Sequence, residues 1–169
     1  MIYLNIKHLL FLVLLGSAMN VNGQAFTLPD EELKFSFTTQ NGKKVTVNKG
    51  KENNYLIYRF SSKDKIEFAF PDTSKNSWKA FKYSFYLRGG GPQNEGMDLN
   101  YLYFTNNGFR YVVYDTYYAV GNKQEIGIKI INLTTNKTTN IKGDRKTRKG
   151  TLTGFRDNNL VEIGEELFD

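Results

Sequence analysis

The sequence predicts an all-β protein, an antiparallel meander of roughly eight to nine strands that forms a sandwich or a barrel. Two observations support this fold class. From residue 33 onward, apolar and polar residues alternate with a period of two, and helical spacing is nearly absent. Turn-forming pairs such as Asn41-Gly42, Asn107-Gly108 and Gly121-Asn122 interrupt the alternation at short intervals.

Nine segments rich in Tyr, Phe, Val, Ile and Thr are predicted to be strands, because these residues suit a pleated, half-buried surface. They are residues 33–39, 43–48, 55–60, 65–70, 80–87, 99–105, 109–116, 125–133 and 137–142. The stretch 157–167 is predicted to allow a short C-terminal helix. No internal repeat or linker is visible, so residues 26–169 are predicted to form a single antiparallel β domain.

The turn at Asn107-Gly108 sets the register of one predicted hairpin. A two-residue turn there pairs Phe104 with Tyr111 and Leu102 with Val113. One face then carries Leu102, Phe104, Phe109, Tyr111 and Val113, and the other carries Tyr101, Tyr103, Arg110, Val112 and Tyr114. The first of these two sets is predicted to lie in the core.

Residues 40–42 are predicted to form a three-residue loop with Gly42 in the left-handed conformation. A two-residue turn would put the phenylalanines of one strand and the valines of the next on opposite faces. The longer loop brings all four to one face, in the pairs Phe37–Val45 and Phe35–Val47. Their joint burial contributes several kcal/mol at roughly 25 cal/mol per Å².

Residues 1–25 have the organisation of a signal peptide. A short segment carrying Lys7 precedes the apolar run LLFLVLL at residues 9–15, and small residues follow. The run is shorter than the roughly 20 residues of a membrane-spanning helix, so no membrane span is predicted. Cleavage after Gly23 or Ala25 is favoured, with Ala18 as the alternative. The product is expected to be periplasmic or secreted.

The composition excludes several classes of enzyme. The chain has no cysteine, and its single histidine, His8, lies in the expected signal. The exported protein therefore has no Ser-His-Asp triad, Cys-His pair or imidazole acid–base chemistry. Zinc and copper sites usually use the same ligands and are disfavoured too. No catalytic residue, metal or cofactor is predicted, and the protein is expected not to be an enzyme.

The charge pattern bears on the kind of partner. A net charge of +6 favours anionic molecules, but export disfavours nucleic acid, which leaves an envelope or extracellular protein or glycan. Residues 137–149 hold six bases and one acid, and residues 157–169 hold five acids and no base. The two stretches are expected to neutralise each other in part. Exposed pairs contribute about 0–1 kcal/mol each, so the tail is expected to matter more for charge than for stability.

The predicted ligand-binding surface combines three tyrosines and an arginine on one hairpin face: Tyr101, Tyr103, Tyr114 and Arg110. The tyrosines would line a continuous strip, and Arg110 would offer paired donors to a carboxylate or phosphate. The alternative is that a second sheet or the tail covers the strip and makes it core. Arg88 joins the candidates because it opens the loop Gly89-Gly90-Gly91, which is either an anion site or a plain surface connection.

Three carboxylates, Glu95, Asp98 and Asp115, could meet near the end of the same hairpin. Glycoside hydrolysis requires two carboxyl groups at a defined separation, which the sequence does not fix. A carboxylate-dependent hydrolase is therefore a distant alternative.

A series of short segments between residues 55 and 130 is similar to a family of small, exported, β-rich proteins of Gram-negative bacteria that has no established function. The segments are Tyr58-Arg59-Phe60, Ile66-Glu67-Phe68 with Pro71, Phe81-Lys82-Tyr83-Ser84, Arg88-Gly89-Gly90-Gly91, Phe104-Thr105-Asn106-Asn107-Gly108, Tyr111-Val112-Val113-Tyr114 and Gly127-Ile128. Members often have cysteines near the strands, which this chain lacks. The resemblance implies an exported β domain of the bacterial envelope and transfers no catalytic residue.

These observations together predict a binding or interaction module that acts through its aromatic sheet face. The alternative is an inhibitor or immunity-type protein that blocks a secreted enzyme, since small, basic or aromatic exported β domains suit that role.

Overall fold

The structure is a computed structural model, and it describes residues 26–63, 65–71 and 77–168. The expected signal peptide, residues 1–25, lies outside the described residues. The strands are β1 Glu31–Thr39, β2 Lys44–Gly50, β3 Leu56–Ser61, β4 Ile66–Phe70, β5 Lys82–Arg88, β6 Met97–Asn106, β7 Phe109–Tyr118, β8 Lys123–Asn132, β9 Thr138–Gly150 and β10 Glu162–Ile163. Short 3₁₀ segments lie at Ser77–Ala80, Pro92–Asn94, Val120–Asn122 and Thr153–Phe155.

The ten strands form one sheet in the order β10-β5-β6-β7-β8-β9-β1-β2-β3-β4. The all-β prediction is confirmed, and the sheet curls into a half-barrel. The antiparallel meander of eight to nine strands is only partly right, because a tenth strand, β10, pairs in parallel with β5. No described helix is long and apolar enough to cross a membrane.

β9 joins the two halves of the sheet. Its residues 138–142 pair with β8, and its residues 143, 144, 149 and 150 pair with β1. The predicted strand ended at residue 142, because the basic stretch beyond it shows no apolar alternation. Backbone pairing with β1 extends the strand through this polar stretch.

The predicted C-terminal helix at residues 157–167 is wrong. This stretch contains β10 and otherwise irregular backbone. Asn159 has a positive φ of 53°, which ends any helical run there, and Ile163 pairs with Tyr83 in the sheet.

Both predicted hairpin registers are confirmed. Phe104 pairs with Tyr111 across the β6–β7 turn, and Phe37 pairs with Val45 across the β1–β2 loop. Gly42 has the predicted left-handed conformation, with φ at 79°. The turn residues, together with the side of each strand on which the apolar residues lie, were sufficient to predict these two pairings.

The main core fills the inner face of the curled sheet. It contains buried side chains from both halves, including Phe35 of β1, Phe104 of β6 and Ile128 of β8. The Phe104 ring stacks on Phe70, with ring centres 4.2 Å apart, and on Tyr111, with ring centres 5.0 Å apart. Most of the predicted core set lies here, although Phe109, at the turn, is 37% exposed.

Candidate functional site

The predicted tyrosine strip lies on the outer face of the sheet, under the C-terminal tail. Tyr101, Tyr103 and Tyr114 are 1%, 3% and 4% exposed. The ring centre of Phe168 lies 5.5 Å from that of Tyr101 and 4.9 Å from that of Tyr103. The strip is therefore a second core layer, as in the alternative raised by the sequence. Its role in binding stays a prediction, and it would require the tail to move.

We call residues 164–168, which include Phe168, the strap. Polar contacts hold it against the tyrosine strip. Ser84 Oγ donates a hydrogen bond to the Glu166 carbonyl at 2.5 Å, and the Tyr103 hydroxyl donates to the Glu166 carboxylate. Arg110 Nη1 lies 3.6 Å from Glu166 Oε1, and its guanidinium lies 5.8 Å from the ring centre of Phe168. The Arg110 guanidinium also lies 5.7 Å from the ring centre of Tyr103, but its charge faces the strap.

Arg88 folds the glycine-rich loop back on itself. Its Nε donates to the Glu95 carbonyl at 3.1 Å, and its Nη2 lies 3.3 Å from Glu95 Oε2. Gly90 and Gly91 have φ values of 92° and 64°, which allow the tight turn before the 3₁₀ segment Pro92–Asn94. The structure therefore brings Arg88 to Glu95 rather than to the tyrosine strip.

Asp98 and Asp115 belong to one polar network, and Glu95 does not. Asn100 Nδ2 donates to Asp98 Oδ1 at 2.7 Å and to the Asp115 carbonyl at 3.2 Å. Arg156 pairs with Asp98, and Arg148 Nη2 lies 2.8 Å from Asp115 Oδ2. Burial raises the pKa of Asp115, and the charge of Arg148 opposes that rise. Each carboxylate thus has its own guanidinium, a geometry that gives no support to the hydrolase alternative.

β9 contains a bulge that the sequence did not predict. Ser36 pairs with Lys149 and Thr38 pairs with Asp144, so five steps along β9 match two along β1, leaving three extra residues. We call residues 145–148, which leave the ladder, the β9 bulge. Bulges of this kind re-aim side chains and often lie beside functional sites.

Three hydrogen bonds fix the shape of the β9 bulge. The Thr38 N–H donates to Thr147 Oγ1 at 2.8 Å, and Thr147 Oγ1 donates to the Asp144 carbonyl at 2.7 Å. The Lys146 N–H donates to Asp144 Oδ1 at 3.0 Å. The only acid of the basic stretch is therefore occupied in holding the backbone of the bulge.

The β9 bulge forms one wall of an open groove of about 900 Å³, which we call the basic groove. Its lining includes six polar or charged side chains, namely Gln40, Gln124, Asp144, Arg145, Lys146 and Arg148. Among the described residues, no acid lies within ion-pair distance of Arg145 or Lys146, whereas Arg148 is paired with Asp115. The groove therefore has an excess of positive charge.

Lys44, on the neighbouring strand β2, is also affected by the positive charge of this region. Its pKa lies below the ordinary value because burial and the nearby charge of Lys149 both disfavour its ammonium form. Lys44 and Lys149 line a smaller cavity of about 240 Å³ together with Thr46. Positive charge thus extends from the β9 bulge onto the adjoining surface of β1 and β2.

The expected neutralisation of the basic stretch by the acidic tail is wrong. Glu162 pairs with Lys82, and Glu166 pairs with Arg110. Within the described chain, no ion pair joins residues 157–168 to residues 137–149. The reason is topological, because β10 lies beside β5, and four strand spacings, roughly 19 Å, separate β5 from β9.

Comparisons with protein-family models, with curated proteins and with solved structures found no match to this chain. The resemblance to exported envelope proteins therefore stays a prediction.

The sequence did not predict the basic groove, because runs of charged residues usually lie on solvated surfaces. The one available signal was the pair Gly143 and Gly150, which bracket the basic run in a sequence with no apolar alternation.

Proposed function

We propose that this protein is an exported binding module whose ligand is an acidic polysaccharide held in the basic groove. The observation that carries the proposal is the position of Arg145 and Lys146. Both line a groove of about 900 Å³, and neither has an acidic partner among the described residues. Positive side chains without a counter-charge on a concave surface favour an anionic ligand.

The groove offers the two kinds of contact that an acidic sugar needs. Arg145 can bind a carboxylate or sulfate with two parallel hydrogen bonds, and Lys146 adds a point charge. The side-chain amides of Gln40 and Gln124, on the same walls, can donate to and accept from sugar hydroxyls. The combination suits a ligand that alternates charge with hydroxyl groups.

The basic groove also requires less rearrangement than the tyrosine strip. Tyr101 and Tyr103 are buried under Phe168, whereas Arg145 and Lys146 are exposed. The backbone of the bulge that presents them is fixed by hydrogen bonds involving Asp144 and Thr38, so binding does not have to order this backbone. Export, expected from residues 9–15, would bring the protein to envelope and extracellular glycans.

The test is binding of the exported protein to polygalacturonate, a uronic-acid polymer, measured by calorimetry at several salt concentrations. Fully methyl-esterified polygalacturonate has the same backbone without the charge and serves as the matched ligand control. We expect binding to the acid form only, weakening as salt screens the charges. The double change Arg145→Glu and Lys146→Glu should weaken binding at least about tenfold, since charged hydrogen bonds contribute about 1.5–3 kcal/mol each.

The double change Lys51→Glu and Lys79→Glu is the protein control, because it alters net charge by the same amount at exposed positions outside the groove. Equal weakening by both double variants would mean that net charge, not the groove, drives binding. Equal binding to the esterified polymer would contradict the proposal. Retention of one protein from envelope extract in a stoichiometric complex, with no glycan binding, would favour the inhibitor alternative.

A further inference from the structure

The outer edge of β5 is largely open. β10 pairs only with Lys82 and Tyr83, and the strap covers Ser84, which is 1% exposed. Among the described residues, the part of β5 from residue 85 to 88 therefore has no neighbouring strand on that side. This part contains three large side chains with high exposure, Phe85 at 39%, Tyr86 at 39% and Leu87 at 58%. Ile163, on β10, is 51% exposed and extends the apolar surface.

The backbone groups that face outward can be identified from one hydrogen bond. The Gly164 N–H donates to the Tyr83 carbonyl at 2.8 Å, so the polar groups of Tyr83 point away from β6. Backbone direction alternates along a strand, so the N–H and C=O groups of Phe85 and Leu87 also point outward. Four backbone groups, the N–H and C=O of Phe85 and of Leu87, are therefore available to pair with another strand.

The opposite edge of the sheet, at β4, has features that hinder pairing with another strand. β4 carries Glu67, which pairs with Lys43, and Pro71 follows the strand directly. Charge and proline are common devices that block pairing at an edge. Between Tyr83 and Leu87, β5 has neither.

We infer that two copies of this chain pair through antiparallel β5 strands, with Tyr86 on the two-fold axis. This register places Phe85 opposite Leu87 of the partner subunit, so each pair exchanges two backbone hydrogen bonds. All four outward groups are then satisfied, and apolar side chains meet apolar side chains. Shifting the axis toward Tyr83 would collide with β10, and shifting it toward Gly89 would leave the strand.

Charge complementarity also favours a second copy. In this register Arg88 lies opposite Ser84 of the partner subunit. Ser84 Oγ binds the Glu166 carbonyl, so Glu166 of the strap lies beside that position. The guanidinium of one copy, which within its own chain lies 3.3 Å from Glu95, would then also face the acidic strap of the other copy, whose Glu166 already contacts Arg110, twice across the axis. A self-complementary edge of this kind is what a two-fold dimer requires.

The absence of cysteine from the sequence makes the register directly testable. Tyr86→Cys places the two thiols opposite each other at a non-hydrogen-bonded pair, where Cβ atoms approach to about 4.5–5.5 Å. We expect mild oxidation to give a disulfide-linked dimer rapidly. Val120→Cys is the matched control, since Val120 is 56% exposed and lies outside the β5 edge. Oxidation of Tyr86→Cys no faster than Val120→Cys overturns the inference.

The unmodified protein gives an independent measurement. Sedimentation equilibrium should show a mass that rises with concentration toward twice that of one chain. Leu87→Lys should hold the protein at the mass of one chain. At concentrations too low for the unmodified protein to dimerise, the two melting temperatures should agree, because the charge lies on an exposed edge. Leu28→Lys, at a position 46% exposed and outside β5 and β10, should still dimerise. A mass of one chain at every concentration overturns the inference, whatever the outcome of the polysaccharide experiment.

Discussion

Arg59 and Glu31 form a buried, two-pronged ion pair that joins β3 to β1 across β2. Arg59 Nη1 lies 2.6 Å from Glu31 Oε2, and Nη2 lies 2.6 Å from Oε1. The side chains are 4% and 0% exposed. Arg59 also donates to the Phe26 carbonyl at 2.9 Å, so the same guanidinium secures the first described residue of the chain.

Removal of the acid from this pair should destabilise the fold strongly. We expect Glu31→Gln to lower the free energy of unfolding by about 3–5 kcal/mol, because it leaves the Arg59 charge buried without its counter-ion. Urea unfolding at neutral pH measures the change. Glu32→Gln is the matched control, since that side chain is 49% exposed and its ion pairs lie at the surface. Similar losses in the two variants would contradict the assignment.

The same pair should make the protein sensitive to acid. Burial by itself raises the pKa of Glu31, but hydrogen bonds from Arg59 and the Leu28 N–H, with the charge of Arg59, bring it below the ordinary value. A depressed pKa stabilises the fold above the unfolded value of about 4.3, and this contribution is lost as pH falls through the folded value. Urea midpoints between pH 2 and 7 should fall more steeply below about pH 4 in the unmodified protein than in Glu31→Gln. Parallel profiles would show that other groups dominate.

The strap should contribute to stability as well as to charge. Phe168 is 9% exposed, and its ring packs on two buried tyrosines, whereas the adjacent Leu167 is 46% exposed. We expect Phe168→Ala to cost about 3 kcal/mol and Leu167→Ala to change stability by less than about 0.5 kcal/mol. Thermal unfolding monitored by tyrosine fluorescence distinguishes the two. A negligible effect of Phe168→Ala would mean that the strap is dispensable, as the sequence alone suggested.

Gly150 should not tolerate a side chain, although Gly154 should. Gly150 has a φ of 72°, and a Cβ atom there would lie 2.1 Å from the Lys34 carbonyl oxygen. No heavy atom lies within 4 Å of a Cβ built at Gly154. We expect Gly150→Ala to lower the melting temperature by several degrees, because strain and the clash add together. Gly154→Ala should leave it nearly unchanged, and equal effects would contradict the close approach of β9 to β1.

The sequence determined those parts of the fold that depend on local pairing. Phe37–Val45 and Phe104–Tyr111 follow from turn chemistry and from the side of the strand on which apolar residues lie. The β9 bulge could not be predicted in this way, because its residues are polar and its shape depends on Thr38, 109 residues distant from Thr147. The burial of Tyr101 likewise depends on Phe168; the sequence offered the tail as one possible cover of the strip but could not decide between a covered and an exposed strip.

The pairing of β1 with β9 also governs the order in which the molecule can assemble. β1 to β4 are consecutive hairpins, and so are β5 to β9, so each half can form from contacts close in sequence. The ladder between the halves joins residues more than a hundred positions apart, and the loop entropy of that closure slows folding. Because the chain is synthesised from its N-terminus, strands β1 to β4 are complete while the free side of β1 still lacks its partner, β9. Until Gly150 has been synthesised, that unpaired side is open to pairing with another nascent chain, so the interval before β9 docks is the period of greatest aggregation hazard.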